Sequence, residues 1–221
     1  MARMCWSASA DLVAGGIITT VGAACVIRAA RRRRRAVPLA ALPLLLGAHQ
    51  VIEAVIWNAG GGSGPATTAW AVIALPLLPL WVSLGVLCAA PDRARRRLLL
   101  PVAAGVLTST ALAHTLATTP VVAEIRGHTM GYAIGLPYAP LLLGAYLLST
   151  VGALLMSGDK GLVLLGLLAG IGAALCAVVW RMEFISTWCA WAAVCSLVLY
   201  RWTGTVRPSA ASPLVRPAGL R

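Results

Sequence analysis

An all-α fold, a polytopic membrane bundle of seven transmembrane helices with the N-terminus outside and the C-terminus cytoplasmic, is what this sequence predicts. Three observations predict it. Of the 221 residues, 60% are apolar and only 11% are charged, and the mean hydropathy is +0.87, more greasy surface than a water-soluble fold of this size can cover. Several uncharged stretches reach the ~20 residues that cross a ~30 Å hydrocarbon core as helix. They are rich in Leu and Ala and lack period-2 alternation, so helices rather than a β-barrel satisfy their backbone amides in lipid. The third observation is the placement of the basic residues.

Apolar segments fall at about 9–28, 36–58, 66–90, 98–118, 131–156, 161–180 and 184–202, each bounded by charge, Gly or Pro. They make one domain over residues 1–204. Residues 205–221, with Pro208, Pro213 and Pro217, read as a disordered cytoplasmic tail. The connections are Arg28 with Arg31 to Arg35, Gly60 to Pro65, Asp92 to Arg97, Pro120 to His128, Gly158 to Lys160, and Arg181 to Glu183. With the N-terminus outside, the cytoplasmic ends carry Arg28, Arg31 to Arg35, Arg93, Arg95 to Arg97, Lys160, Arg201, Arg207, Arg216 and Arg221. Only Arg3, Arg126 and Arg181 then remain outside, a partition that a wrong helix count would scramble from the error onwards.

The net charge of +12 and pI near 10.7 would suit nucleic acid, but the arginines occupy short connections and form no folded basic domain or recognition motif. Topology is their ordinary use, so no nucleic-acid partner is expected. Arg31 to Arg35 and Arg93 to Arg97 are placed to contact anionic lipid headgroups. The first segment is a retained helix and not a secretion signal, because its heaviest basic cluster follows the apolar run. Gly22 also stands where a lipoprotein site before Cys25 would carry a bulky aliphatic residue.

Prolines 76 and 79 in the third segment, and 137 and 140 in the fifth, predict kinks, with neighbouring helices re-satisfying the freed carbonyls. Pro43 to Ala48 matches Pro140 to Ala145 letter for letter. In a Leu- and Ala-rich chain without matching flanks, chance accounts for this better than an inverted repeat.

Once topology is set, the rare ionisable residues gather. Asp11, Glu53, Glu124, Glu183 and all three histidines fall on the outer side, while Asp92 and Asp159 sit among bases on the inner one. Glu53 lies roughly 7 Å below the outer end of the second helix, at about 1.5 Å per residue, with His49 and Trp57 on the same face at i−4 and i+4. A carboxylate facing lipid there costs several kcal/mol, so it should face the bundle and meet a partner. His49, Gln50, Glu53, His114, His128 and Glu183 are the candidates for one outer polar pocket, with Arg126 and Arg181 able to reach in.

Three uses fit these residues. Imidazole and carboxylate suit zinc, which His49, Glu53, His114 and His128 would hold. A hydrolase would use such an ion, or the His49–Glu53 pair, to activate water. A carrier or sensor would use the same residues as a proton- or ligand-responsive cluster. A structural reading stands beside them, in which these groups satisfy one another and hold helices in register. Trp57, Trp70, Trp180, Trp188 and Trp191 gather toward the outer boundary and read as headgroup anchors. Cys25, Cys88, Cys176 and Cys195 read as small buried apolar residues. Cys5 and Cys189 share the outer side, where a disulfide is permitted.

The opening Met4-Cys5-Trp6-Ser7-Ala8 resembles that of an uncharacterised bacterial membrane family, domain of unknown function 6629, whose members open Met-Cys-Phe-Ser-Ala. The likeness runs on through Leu42 to Gln50 with Glu53 and Trp57, Gly127-His128 with Tyr132, and Trp188-Cys189. Trp6 replaces the frequent Phe, and Met4 serves equally well as a start. The resemblance implies a compact helical membrane protein of a bacterium with no assigned activity, and directs attention to Cys5, Ser7, Glu53, His128 and Cys189.

The leading expectation is a multi-pass plasma-membrane protein acting as a non-enzymatic sensor, carrier or accessory subunit, with no cofactor, around Glu53. The alternative is a zinc-dependent intramembrane hydrolase using His49, Glu53, His114 and His128. No phosphate loop or serine nucleophile is present; the Gly60 to Gly64 turn lacks the lysine that cradling a phosphate requires.

Overall fold

The computed structural model describes residues 7–127, 129–136, 138–179 and 184–205. The chain is mostly helical. In order it forms α1 (Ala8–Arg32), a 3₁₀ turn (Arg34–Ala36), α2 (Val37–Ala40), α3 (Leu42–Asn58), α4 (Pro65–Val72) and, after a π-helical turn (Ile73–Leu77), α5 (Leu78–Ala89). Then come α6 (Asp92–Thr118), strands β1 (Val122–Arg126) and β2 (Thr129–Ala133), α7 (Ala139–Leu147), a second π-helical turn (Leu148–Gly152), α8 (Ala153–Leu155), α9 (Lys160–Val179) and α10 (Phe184–Gly204). Four continuous helical stretches, Ala8–Arg32, Arg34–Asn58, Pro65–Ala89 and Asp92–Thr118, are long and apolar enough to cross a membrane. Ala139–Leu155 and Lys160–Leu175 are shorter apolar helices.

Two boundaries differ from expectation for identifiable reasons. The run Asp92 to Arg97, read as a connection, is the first turn and a half of α6: Pro91 caps it in extended conformation and Asp92 favours the positive end of the helix dipole. The fifth segment, expected as helix from residue 131, opens instead as the second strand of a hairpin. That hairpin pairs Val122 with Ala133 through Arg126 with Thr129, and the chain reverses at Gly127, whose φ of +65° suits glycine. Gly131, Gly135 and Pro137 disfavour helix in this stretch, and an apolar run alone does not separate a short strand from a helix. The fold is therefore helical with one added β-ribbon, and not purely α.

The connections assigned by charge to one side meet in space. At the basic end Arg33 pairs with Asp159 at 3.1 Å, and its guanidinium lies 4.1 Å over the Trp202 ring. Arg32 donates to the Gly204 carbonyl and Asp92 takes Arg95 at 3.2 Å. At the opposite end Gly62 bridges Ala123, laying the hairpin over the glycine turn.

Pro76 lies in the π-helical turn within the Pro65–Ala89 stretch and Pro79 follows in the first turn of α5. Neighbouring hydroxyls cover the carbonyls there: Tyr146 donates to Ala74 at 2.7 Å and Ser109 to Pro76 at 2.6 Å. Pro140 sits in the first turn of α7 and makes no kink, since a helix start tolerates it. Pro137 lies outside the described residues.

The main core joins Leu39, Val82, Val86, Leu98, Leu154, Leu162, Leu199 and Trp202 toward the basic end. A second cluster around Ile56, Trp70, Ala71, Val121, Ala123 and Met130 lies under the hairpin. Between α1 and α3 small residues allow backbone contact, and a Cβ on Gly47 would lie 2.8 Å from the Thr19 nitrogen and 2.9 Å from the Gly15 carbonyl oxygen. Gly47→Leu is expected to destabilise the protein by about 3 kcal/mol, from overpacking. Gly16→Leu, where nothing stands within 4 Å, should be near neutral. Denaturant unfolding of the two variants in detergent checks the contrast.

Candidate functional site beneath the hairpin

The close approach of α1 and α3 positions the site. Asp11 stands one helical turn before Gly15, and Asp11, Gly15, Ile18, Gly22 and Cys25 form the buried stripe of α1. On α3 the buried face carries Gly47, His49, Gln50, Glu53, Ala54 and Ile56. Packing the two stripes at glycine sets the Asp11 carboxyl against the Trp57 indole and within electrostatic range of Glu53.

Glu53 is 1% exposed. One carboxylate oxygen, Oε2, accepts from Gln50 Nε2 at 3.4 Å and from Trp70 Nε1 at 3.4 Å, both long for hydrogen bonds. The Tyr132 hydroxyl faces the same carboxylate from β2. The other oxygen, Oε1, is buried without a hydrogen-bond partner among the described residues, as is His49 Nε2. Trp70 also meets two other rings: Trp70 and Tyr132 stack 3.5 Å apart at 9°, and His49 lies 4.7 Å from Trp70 at 34°.

Of the residues expected in an outer polar pocket, the structure brings together His49, Gln50 and Glu53. His114 is exposed on α6. His128 and Glu183 lie outside the described residues, as do Cys5, Arg181 and the side chain of Cys189. Arg126 pairs with Glu124 on the exposed face of the hairpin instead of reaching Glu53. Among the described residues no group of three or more His, Cys, Asp or Glu is placed to hold a metal ion.

Three members were not in the expected set. Asp11 was recognised as outer but not as a neighbour of Glu53, because which helix packs on which is not written in one sequence. Trp70 is not a headgroup anchor: it is 0% exposed, held edge-on to Glu53 by its indole N–H. Tyr132 was carried only by resemblance, and its strand was expected as helix. Cys88, expected buried, is exposed.

A cleft of about 330 Å³ lined by Ser63, Gly64, Thr68, Leu116, Pro120 and Val121 opens at the same end. Its wall residues Leu116 and Val121 belong to the cluster that encloses Trp70. Chemically the described residues of the site offer two acids, one imidazole, and neutral N–H and O–H donors, with no thiol among them. The site suits taking up and releasing a charge more than covalent chemistry.

Compared with known families, residues 4–213 match the family model described as Family of unknown function (DUF6629). No curated protein and no solved structure matches.

Proposed function

We propose, for a chain that belongs to the DUF6629 family of unknown function, that it is a seven-crossing bacterial plasma-membrane protein, N-terminus outside, working as a non-enzymatic sensor or carrier through the Glu53 site. Four helical stretches of the described residues are long and apolar enough to cross a membrane, and two shorter apolar helices follow them; we count these six and α10 as the seven crossings. The basic connections meet at one end and the hairpin and glycine turn at the other, which supports a cytoplasmic face at the arginines. There Arg31, Arg32, Arg34 and Arg35 are exposed and available to anionic headgroups.

The observation that carries the reading is a carboxylate buried in a helical bundle with one oxygen partnerless, an expensive arrangement that marks function in membrane proteins. A zinc hydrolase has less support, because His114 is exposed away from His49 and Glu53. The hairpin is the moving part: it touches Glu53 through Tyr132 and Trp70, so a change at the carboxylate is felt in the ribbon.

Glu53→Gln is therefore expected to change amide hydrogen exchange in residues 122–133 by about tenfold, with the arginine end of α1 unaffected. Exchange in the hairpin that is identical in both proteins would remove the link between carboxylate and ribbon on which a sensor or carrier depends.

A further inference from the structure

Among the described residues, the Glu53 site is short of positive charge. Asp11 and Glu53 are 3% and 1% exposed, and the ion pairs of the described residues use Arg33, Arg35, Arg95 and Arg126 on Asp159, Asp92 and Glu124, never on these two acids. What faces them is neutral: Trp57 toward Asp11, and Gln50, Trp70 and Tyr132 toward Glu53. N–H and O–H donors ease a negative charge but do not cancel it. Two uncompensated anions side by side in a bundle are far costlier than one.

The orphaned atoms point the same way. Glu53 Oε1 and His49 Nε2, on side chains at least nine-tenths buried, have no hydrogen-bond partner among the described residues. A carboxylate oxygen is an acceptor only, and the unpartnered Trp57 Nε1 nearby does not supply it, so what Glu53 Oε1 lacks is an electron-pair acceptor. We propose that Asp11 and Glu53 are the paired ligands of one small cation, a proton or an alkali-metal ion, held between α1 and α3 beneath the hairpin.

Size and ligand count narrow the class. Trp70 is already stacked on Tyr132 at 3.5 Å and approached by His49 at 4.7 Å, which crowds its ring against an organic ammonium. A divalent metal would want further carboxylates or imidazoles, and no third such group joins the pair among the described residues. Among the described residues, the titratable or charged groups on the elements around Glu53 are Asp11 from α1, His49 from α3 and Tyr132 from β2, and α4 contributes Trp70. The proposal rests on the functional reading of Glu53 above and adds both the occupant and the second acid.

The test uses the full chain in lipid nanodiscs. Thermal unfolding is followed at constant ionic strength, first with choline replaced by sodium or potassium, then in choline alone across a pH series. Wild type is expected to gain stability in one arm, and the arm that responds identifies the cation. Asp11→Asn and Glu53→Gln should each cut that response about fivefold or more and remain as stable as wild type in choline, having lost an uncompensated charge. Asp11→Glu should keep the response. If neither arm stabilises wild type, or both acid-to-amide variants keep the full response, the cation site and the role of Glu53 fall together. If Asp11→Asn responds like wild type while Glu53→Gln does not, the paired site is overturned and the Glu53 reading stands.

Discussion

Arg33→Ala is expected to lower stability by about 3 kcal/mol, against near-zero effects for its exposed neighbours Arg31 and Arg34. The side chains of Arg33 and Asp159 are 7% and 17% exposed, and removing one member of such a pair strands the other. Arg33 also donates to the Trp202 carbonyl and lies over its ring, while the Trp202 indole donates to Asp159 at 3.0 Å. One side chain thus ties the end of α1 to the α8–α9 turn and to α10. Asp159→Ala should cost a similar amount, and Arg33→Met with Asp159→Leu should recover most of it, which a double-mutant cycle measures.

The same pair has a pH signature. Partial burial of Asp159 acts to raise its pKa, but the Arg33 hydrogen bond, the Trp202 indole, the Arg33 charge and the Gly161 amide outweigh it and hold the carboxyl below its ordinary value. A depressed folded-state value stabilises above the unfolded pKa of about 3.9 and is lost as pH falls through the lower, folded one. The stability gap between wild type and Asp159→Asn should therefore be level from neutral pH to about 5 and shrink below about 4. A gap that widens on acidification would mean the pair is not the source.

Trp70→Ala should have an effect at least as large, about 3–5 kcal/mol. It empties the centre of the cluster under the hairpin, removes the surface on which Tyr132 stacks, and deletes an indole donor to Glu53. Trp70→Phe keeps a ring for the stack and loses the N–H with part of the ring volume, so it should cost less, about 1–3 kcal/mol. Limited proteolysis gives the local readout: the alanine variant should be cut within residues 122–133 and the phenylalanine variant protected. Equal protection of the ribbon in both would mean that Trp70 does not hold it down.

Much of this architecture was legible because lipid imposes simple rules. Long uncharged runs located the helical stretches, and the charged connections left between them meet through Arg33 with Asp159 and Arg35 with Asp92. His49, Gln50 and Glu53 were readable as one face because helical spacing is a local property. Asp11 was not, since its approach to Glu53 depends on Gly15 and Gly47 choosing each other among many glycines. Nor was Tyr132, because hydropathy scores residues 131–136 as membrane whichever backbone they adopt. Trp70 misled for a related reason: an indole near a boundary serves equally as anchor or as core, and only the partner decides.

The π-helical turn at Ile73–Leu77 has a consequence for how the third pass is shared. One residue beyond the α-helical count rotates everything after it by about 100°, so the pass presents two unrelated faces. Before the turn it offers Trp70 to the carboxylate; after it, Val82 and Val86 to the core near the arginines. A single-residue deletion there would leave each half a sound helix yet aim them at the wrong neighbours, so the spacing between Trp70 and Val82 acts as a phase setting that couples the two ends of the protein.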